Sequence, residues 1–296
     1  MANLKEIKAR IKSVNSTQQI TKAMKLVAAS KLRRAQDRIV QMRPYAQKFD
    51  EILDHVNEVS ADVKLKRDFG QVREEIESVL VVVITSDRGL CGGFNTNAIK
   101  QANQRIENLY ASQKAAGKLT ILPIGKKAYE YYLKNGFNVV DKYYELLTDL
   151  SFASARMVAE YLMQSFIEGI YDQIDIVYNE FKNVATQILR EETFLPTVSS
   201  EKEEGHEAAI DYIFDQDPSQ LLDELIPYGL KVRFFRAVLE SNASEHGARM
   251  TAMDKATENA AELLKELNLQ YNRTRQAAIT TEILEITAGA EALSNG

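Results

Sequence analysis

The segment TSDRGLCGGFN (85–95) holds the densest set of residues that could do chemistry in this chain. Gly89, Gly92 and Gly93, in a strand-to-helix turn, could present backbone N–H groups to a phosphate, as a dinucleotide-binding turn does. The spacing is not GxGxxG, however, no Lys follows as in a P-loop, and the Asp87 carboxylate would repel an anion. A tight structural turn is therefore the favoured reading. His55, His206 and His246 lie far apart, with no Cys or carboxylate at zinc-like spacing. Ser86, Asp87 and the other serines lack a plausible histidine base, so a nucleophilic triad is unsupported. No catalytic constellation emerges, and no cofactor, metal or small-molecule substrate is expected. A second notable segment, QAAITTEILEITAGAEALSNG (276–296), has no Lys or Arg, and its carboxylates are Glu282, Glu285 and Glu291. A free helix end of this kind would be poorly soluble, so another protein's apolar sleeve is expected around it, with self-association of the tip as the alternative.

The elements that position these residues are of two kinds. SVLVVVITS (78–86) is a β-branched run bounded by turn residues, typical of a strand buried on both faces, and LTILPIG (119–125) and IDIVYNEF (174–181) are similar. Helical stretches near 95–116, 126–135 and 153–171 alternate with them, which predicts a small parallel α/β sheet. Residues 184–195 extend it as an antiparallel hairpin. On either side of this domain the period changes. Leu4, Ile7, Ile11, Val14, Gln18, Thr21, Lys25, Ala28, Leu32, Ala35 and Ile39 begin a stripe of alternating three- and four-residue steps that runs on to Val56. That is the period of a coiled-coil seam, here predicting a helix of roughly 80 Å in which Pro44 could bend the backbone locally. Met250, Met253, Thr257, Ala260, Leu264, Leu267, Tyr271 and Thr274 repeat the alternation. Farther on the stripe shifts to Ile279, Ile283 and Ile286, the drift of a helix no longer locked in a two-stranded seam. The expected division is an N-terminal coiled-coil helix over 1–58, a central α/β domain over 77–198, and a C-terminal helix over 210–294 pairing antiparallel with the first. Residues 60–76 read as a linker and 199–209 as an exposed acidic loop.

Composition narrows the function. With 45% hydrophobic residues in 296 the chain can build a real core. No apolar run of about 18 residues is present, and no signal or transit sequence is expected. Lone Cys91 suits a reducing compartment. Residues 1–48 carry twelve Lys or Arg against Glu6 and Asp37, a net of +10, so the remainder sums to −15. A basic helix on an acidic body implies an acidic partner, protein carboxylates or nucleic acid. Tyr45 and Phe49 are the only aromatics before residue 69, which counts against nucleic acid. A nucleotide-dependent α/β enzyme is the other rival, and it rests on the glycine turn alone.

IKSVNSTQQITKAMKLVAASKLRRAQ (11–36), TSDRGLCGGFN (85–95), ESNASEHGARMTAMDKATENA (240–260) and ITTEILEITAGAEAL (279–293) occur in that order along the chain. Together they closely resemble the gamma subunit family of bacterial F-type ATP synthases. The resemblance implies a mixed α+β and α/β fold: a long antiparallel coiled coil of the terminal helices and a central Rossmann-like α/β domain. It implies a non-catalytic rotor shaft within an alpha3-beta3 hexamer. The shaft's foot would rest with the epsilon subunit on the membrane c-ring, on the cytoplasmic face of the bacterial inner membrane. By the same resemblance Arg275, Gln276 and Thr280 meet the stator, with Met24 and Lys25 near that level on the other helix. Ile279, Ile283 and Ile286 form an apolar tip within a collar. The chain lacks the dithiol insertion of chloroplast members, so no redox switch is expected. Thr281, Thr287, Ala288 and Glu291 depart from residues common in the family without disturbing the resemblance.

Overall fold

A computed structural model describes residues 4–59, 68–73, 75–197 and 218–294. The acidic loop expected over 199–209 and most of the expected linker lie outside them. The chain divides into two compact units: Met1–Ala28 with Met250–Gly296, and Ala29–Arg249.

The larger unit is built on a five-stranded sheet of order β3-β2-β1-β4-β5. Its strands are β1 (Val79–Ile84), β2 (Leu119–Ile124), β3 (Asn138–Val139), β4 (Gln173–Phe181) and β5 (Gln187–Leu195). The first four run parallel, and β5 returns antiparallel along β4. β1 is the central strand, and all six of its residues are buried, as its unbroken β-branched run requires. Alternate residues serve opposite faces. Leu80, Val82 and Ile84 pack with α5 (Phe152–Ile167) and with Leu230, Phe234 and Val238 of α6 (Pro218–Ser294). Val79, Val81 and Val83 pack beneath α2 (Phe94–Leu109) and α4 (Lys126–Lys134), against Ala102, Ile106 and Tyr132. A one-turn α3 (Ala111–Ala115) follows α2, and a 3-10 turn covers Leu146–Asp149. Two-residue β3 and this 3-10 turn are too short to leave a periodic signature in sequence. α5 starts with a capping box, in which Ser151 and Ser154 exchange side-chain and backbone hydrogen bonds.

A buried polar cluster pins α2 to the hairpin. Asp175, fully buried on β4, accepts from Arg105 Nε at 2.5 Å, Tyr110 OH at 2.6 Å and Gln173 Nε2 at 3.2 Å. Burial, reinforced by the Asp175 charge, pushes the Tyr110 hydroxyl well above its ordinary pKa. At the amino end of the sheet Asp172 ties Arg73 to the backbone N–H groups of Glu77 and Ser78.

The smaller unit is an antiparallel pair formed by the first turns of α1 (Leu4–Val59) and the last 45 residues of α6. α1 continues through Pro44 without interruption. Thr21 Oγ1 lies 2.8 Å from Thr257 Oγ1, and Lys25 Nζ lies 2.5 Å from Asp254 Oδ1. One number rises as its partner falls, which fixes the antiparallel direction. Ile7, Thr21 and Ala28 of the predicted stripe are buried, as are Met253, Ala260 and Leu267 facing them. Polar Thr21 and Lys25 at seam positions specify register where an all-apolar stripe would allow sliding.

Candidate functional site

Two places invite a functional reading: the carboxyl end of the sheet, and the end of α6. The chain leaves β1 toward β2 and β3 on one side, then returns to β4 on the other. The crevice outside the carboxyl ends of β1 and β4 is thus the topological switch point, where open α/β sheets ordinarily bind ligands. The glycine-containing turn 85–93 borders it, so the nucleotide reading has a definite place to be tested.

Here the protein supplies its own occupants. The amino end of α4, at the carboxyl end of neighbouring β2, is one helix terminus beside the turn that could seat an anion, yet its donors are taken: Lys126 N–H by Asp87 Oδ1 (3.1 Å), Lys127 N–H by Ser86 carbonyl (3.1 Å), and Ala128 N–H by Thr85 Oγ1 (2.9 Å). Asp87 does not merely repel a phosphate; it stands where one would bind. Gly125 makes this approach possible. Its φ is +96°, and a Cβ there would overlap the Thr85 carbonyl. The turn itself is cross-tied, since Asn95 Oδ1 accepts from Ser86 N–H at 2.9 Å, and Asn95 Nδ2 donates to Ser86 Oγ at 2.8 Å and Cys91 Sγ at 3.3 Å.

From above, α6 closes the crevice. Arg249 Nη2 donates to the carbonyl oxygens of Arg88 (3.1 Å) and Gly89 (3.4 Å), while Nη1 lies 2.5 Å from Glu245 Oε1. Ala248 packs against Cys91 and Phe94. The turn offers acceptors toward a helix cation, the reverse of a phosphate cradle. Burial raises the Glu245 pKa, and the Asp87 charge adds to this, against Arg249 and Lys31 of α1. Burial, together with Arg249 and Lys31, lowers the His246 pKa from 6.5 to about 4, so its imidazole is neutral near pH 7. Among the described residues no group of His, Cys, Asp and Glu could hold a metal ion. The crevice is a socket for residues 240–249 of α6. Sequence reading missed Arg249 and Glu245, although their i, i+4 spacing was a legible pairing signal.

In the smaller unit, the register carried by Thr21–Thr257 and Lys25–Asp254 places the start of α1 opposite residues near 274. Beyond that α6 has no partner helix from α1, and residues 275–291 are all exposed. Arg275, Gln276, Ile279, Thr280, Ile283 and Ile286 all belong to this stretch. Met24 and Lys25 do not lie beside it. Asp254, which pairs with Lys25, is 21 residues before Arg275, about 30 Å at helical rise. The expected contact residues therefore form two tiers, the lower one half-buried and the upper one exposed. The upper surface keeps its charges at Arg275, Glu282 and Glu285, but its threonines turn their hydroxyls into the helix. Thr280, Thr281 and Thr287 donate their hydroxyls to their own helix carbonyls at Gln276, Ala277 and Ile283, which leaves methyl groups, Ile283 and Ile286 facing outward.

Comparison with known proteins decides what such a pair of features belongs to. A family model described as ATP synthase matches residues 3–293. The ATP synthase gamma chain of Cytophaga hutchinsonii is 53% identical over 300 residues, covering 100% of both chains. This chain belongs to the ATP synthase gamma-chain family. The gamma chain of Chlorobium phaeobacteroides is 49% identical, covering 99% of each. Among solved structures, the central stalk and c-ring of the Tetrahymena thermophila mitochondrial ATP synthase matches with TM-score 0.54 and 25% identity. That match covers 80% of this chain and 99% of that one. An OSCP/F1/c-ring structure from Euglena gracilis gives TM-score 0.65 over 98% of this chain and 94% of that one; at 22% identity it speaks for the fold. The gamma chain is the non-catalytic central-stalk rotor of the F-type ATP synthase, and that is the function of this chain. It accounts for a ligand crevice filled from within. No helix among the described residues is long and apolar enough to cross a membrane.

Proposed function

We propose that this gamma chain turns inside an alpha3-beta3 hexamer on its paired helices, with its α/β unit standing beside the epsilon subunit on the c-ring. The complex lies at the cytoplasmic face of the bacterial inner membrane. In functional terms the shaft comprises 1–58 and 210–294 and the foot 77–198. Ion flow rotates the ring, and the asymmetric shaft makes different contacts with each of three catalytic neighbours, shifting their conformational populations in turn. The chain itself makes and breaks no bond.

The unpartnered end of α6 is the observation that carries this reading. Ile279, Ile283 and Ile286 are each about half exposed or more, at 48%, 56% and 66%. Threonines that satisfy themselves within the helix add little directional bonding. Such a surface suits rotation in an apolar collar, where fixed hydrogen bonds would oppose turning. Arg275, Gln276 and Thr280 at the base of the free stretch supply the polar contacts through which torque is passed. Met24 and Lys25 form a second tier; Lys25 is already engaged by Asp254, so Met24 carries more of that contact.

Membrane vesicles bearing the whole complex with Arg275→Glu should assemble and hydrolyse ATP, yet make less ATP per ion admitted than wild type. Ile283→Ala should leave that ratio nearly intact. An unchanged yield per ion in Arg275→Glu would refute the assignment of torque transfer to this level.

A further inference from the structure

The part of α6 that fills the switch-point crevice is buried on nearly every side, and it is polar. Residues 237–241 and 243–248 are all buried, among them Glu240, Ser241, Ser244, Glu245 and His246. A helix enclosed all round is ordinarily apolar. Three of these polar groups are engaged: Glu240 Oε2 accepts from Phe181 N–H at 3.1 Å, Glu245 holds Arg249, and His246 Nδ1 lies 3.5 Å from Arg249 Nη1. Among the described residues, Ser241 Oγ, Ser244 Oγ and Asn179 Nδ2 have no hydrogen-bond partner, although the three residues are only 2%, 0% and 3% exposed. Buried polar atoms in folded proteins are overwhelmingly paired, with protein or with ordered water.

Topology brings the three to one place. Ser241, Ser244 and Ala248 follow three- and four-residue steps on one face of α6, and Ala248 touches Cys91 and Phe94 beside the β1 turn. Asn179 lies two residues beyond Val177, the partner of Val83. It therefore shares the face that Val177 presents toward α2, alongside the end of β1. Asn179 also stands two residues before Phe181, whose backbone N–H is held by Glu240 of α6. Phe181, on the same β4 face as Asn179, reaches α6 at Gly247, where an added Cβ would stand 3.5 Å from its ring, so the amide donor on β4 and the two hydroxyls on α6 border the same crevice.

We infer that this crevice is an internal hydration site, in which ordered water bridges the Asn179 amide to the Ser241 and Ser244 hydroxyls. The donor and acceptor sets match. An amide nitrogen only donates, a hydroxyl does both, and water supplies two donors and two acceptors. Buried water characteristically makes about three such bonds. A cation fits poorly, because the Asn179 group is itself a donor. Hydration explains how ESNASE can be enclosed between β4 and the β1 turn while remaining polar.

The sign of a stability change tests this. In the full chain, Ser241→Ala or Ser244→Ala removes a hydroxyl. If the hydroxyl had no partner, its loss would leave the Tm unchanged or raise it. If it holds a bridging water, its loss should lower the Tm by about 2–4 °C. Combined with Asn179→Val, Ser244→Ala should cost less than the sum of the single changes, because both act on one water. Oxygen-17 relaxation dispersion should count at least one fewer long-lived internal water in Ser244→Ala. A Tm unchanged or raised in both serine variants, strict additivity, or an unchanged water count overturns the inference.

Discussion

The α/β unit and the coiled-coil unit treat polar side chains in opposite ways. Around the switch point, Asp87, Ser86, Asn95 and Arg249 each engage one or more partners from another segment, and Glu245 holds Arg249 in place from the same helix. In the exposed end of α6, Thr280, Thr281 and Thr287 turn back on their own helix. The first arrangement fixes position, because each group is held from several directions at once. The second leaves a surface that makes few demands on its surroundings. A rotor needs both properties, a foot that does not yield and a tip that does not stick. The contrast makes a general expectation: equivalent substitutions should be costly in the first unit and mild in the second.

Glycine offers the sharpest comparison. Gly125→Val forces a β-branched residue to φ +96° and drives its Cβ into the Thr85 carbonyl. The expected cost exceeds about 4 kcal/mol, seen as loss of cooperative urea unfolding or of soluble chain. Gly289, within α6, meets nothing within 4 Å, and Gly289→Ala should favour the helix by up to about 1 kcal/mol. Circular dichroism would register that as a small gain in helicity. Similar effects from the two changes would erase the distinction between the units.

Arg249→Ala comes next. It strands the buried Glu245 carboxylate and uncovers the Arg88 and Gly89 carbonyls. Breaking a buried charge pair from one side costs about 3–4 kcal/mol, measurable as a lower urea midpoint. Arg249→Met, which keeps much of the packing volume but not the bonds, should recover little of the loss. Recovery close to wild type would mean that the socket depends on packing alone.

The same cluster predicts a pH dependence. The unfolded chain protonates His246 near 6.5, whereas the folded chain resists until about 4. Between those values the unfolded state binds more protons, so stability falls as pH drops through the window and levels off below it. The loss should be on the order of 3 kcal/mol. Glu245 works in the opposite sense, since its raised pKa lets the folded chain take up a proton first; Arg249, Lys31 and Asp87 complete the charges around the pair. Comparing His246→Gln with wild type at each pH isolates the imidazole, and the variant should show the shallower decline. Parallel curves would remove His246 from the account.

How much of this was legible beforehand differs between the units for a physical reason. Periodicity is a local property, so the 3-4 stripe from Leu4 onward, the β-branched run at Val79–Ile84 and the phase drift after Thr274 could all be read directly. Placement in space is a long-range property. Nothing in TSDRGLCGGFN says that Asp87 caps α4 some 39 residues later, or that Arg249 reaches back to Arg88 across 161 positions. The separation of Met24 from Arg275 along the paired helices was likewise invisible until Thr21–Thr257 and Lys25–Asp254 fixed the register.

Those two contacts carry the smallest predicted effect. The Lys25–Asp254 pair is short at 2.5 Å, but its side chains are 37% and 44% exposed. Solvent screens an ion pair of that exposure, and the measured worth of such pairs is about 0–1 kcal/mol. Asp254→Asn should therefore barely move the melting temperature. Its larger effect should be on register. Gln18, Thr21 and Lys25 interrupt a largely apolar stripe, and polar seam residues specify alignment more than they add stability. With Asp254→Asn and Thr257→Val combined, the helices can slide by one heptad while keeping apolar residues facing. A disulfide introduced as Thr21→Cys with Thr257→Cys should form readily in an otherwise wild-type chain and more slowly beside Asp254→Asn. Equal rates of crosslinking would show that apolar packing alone sets the register, and that this unit is more tightly specified than its exposed surface suggests.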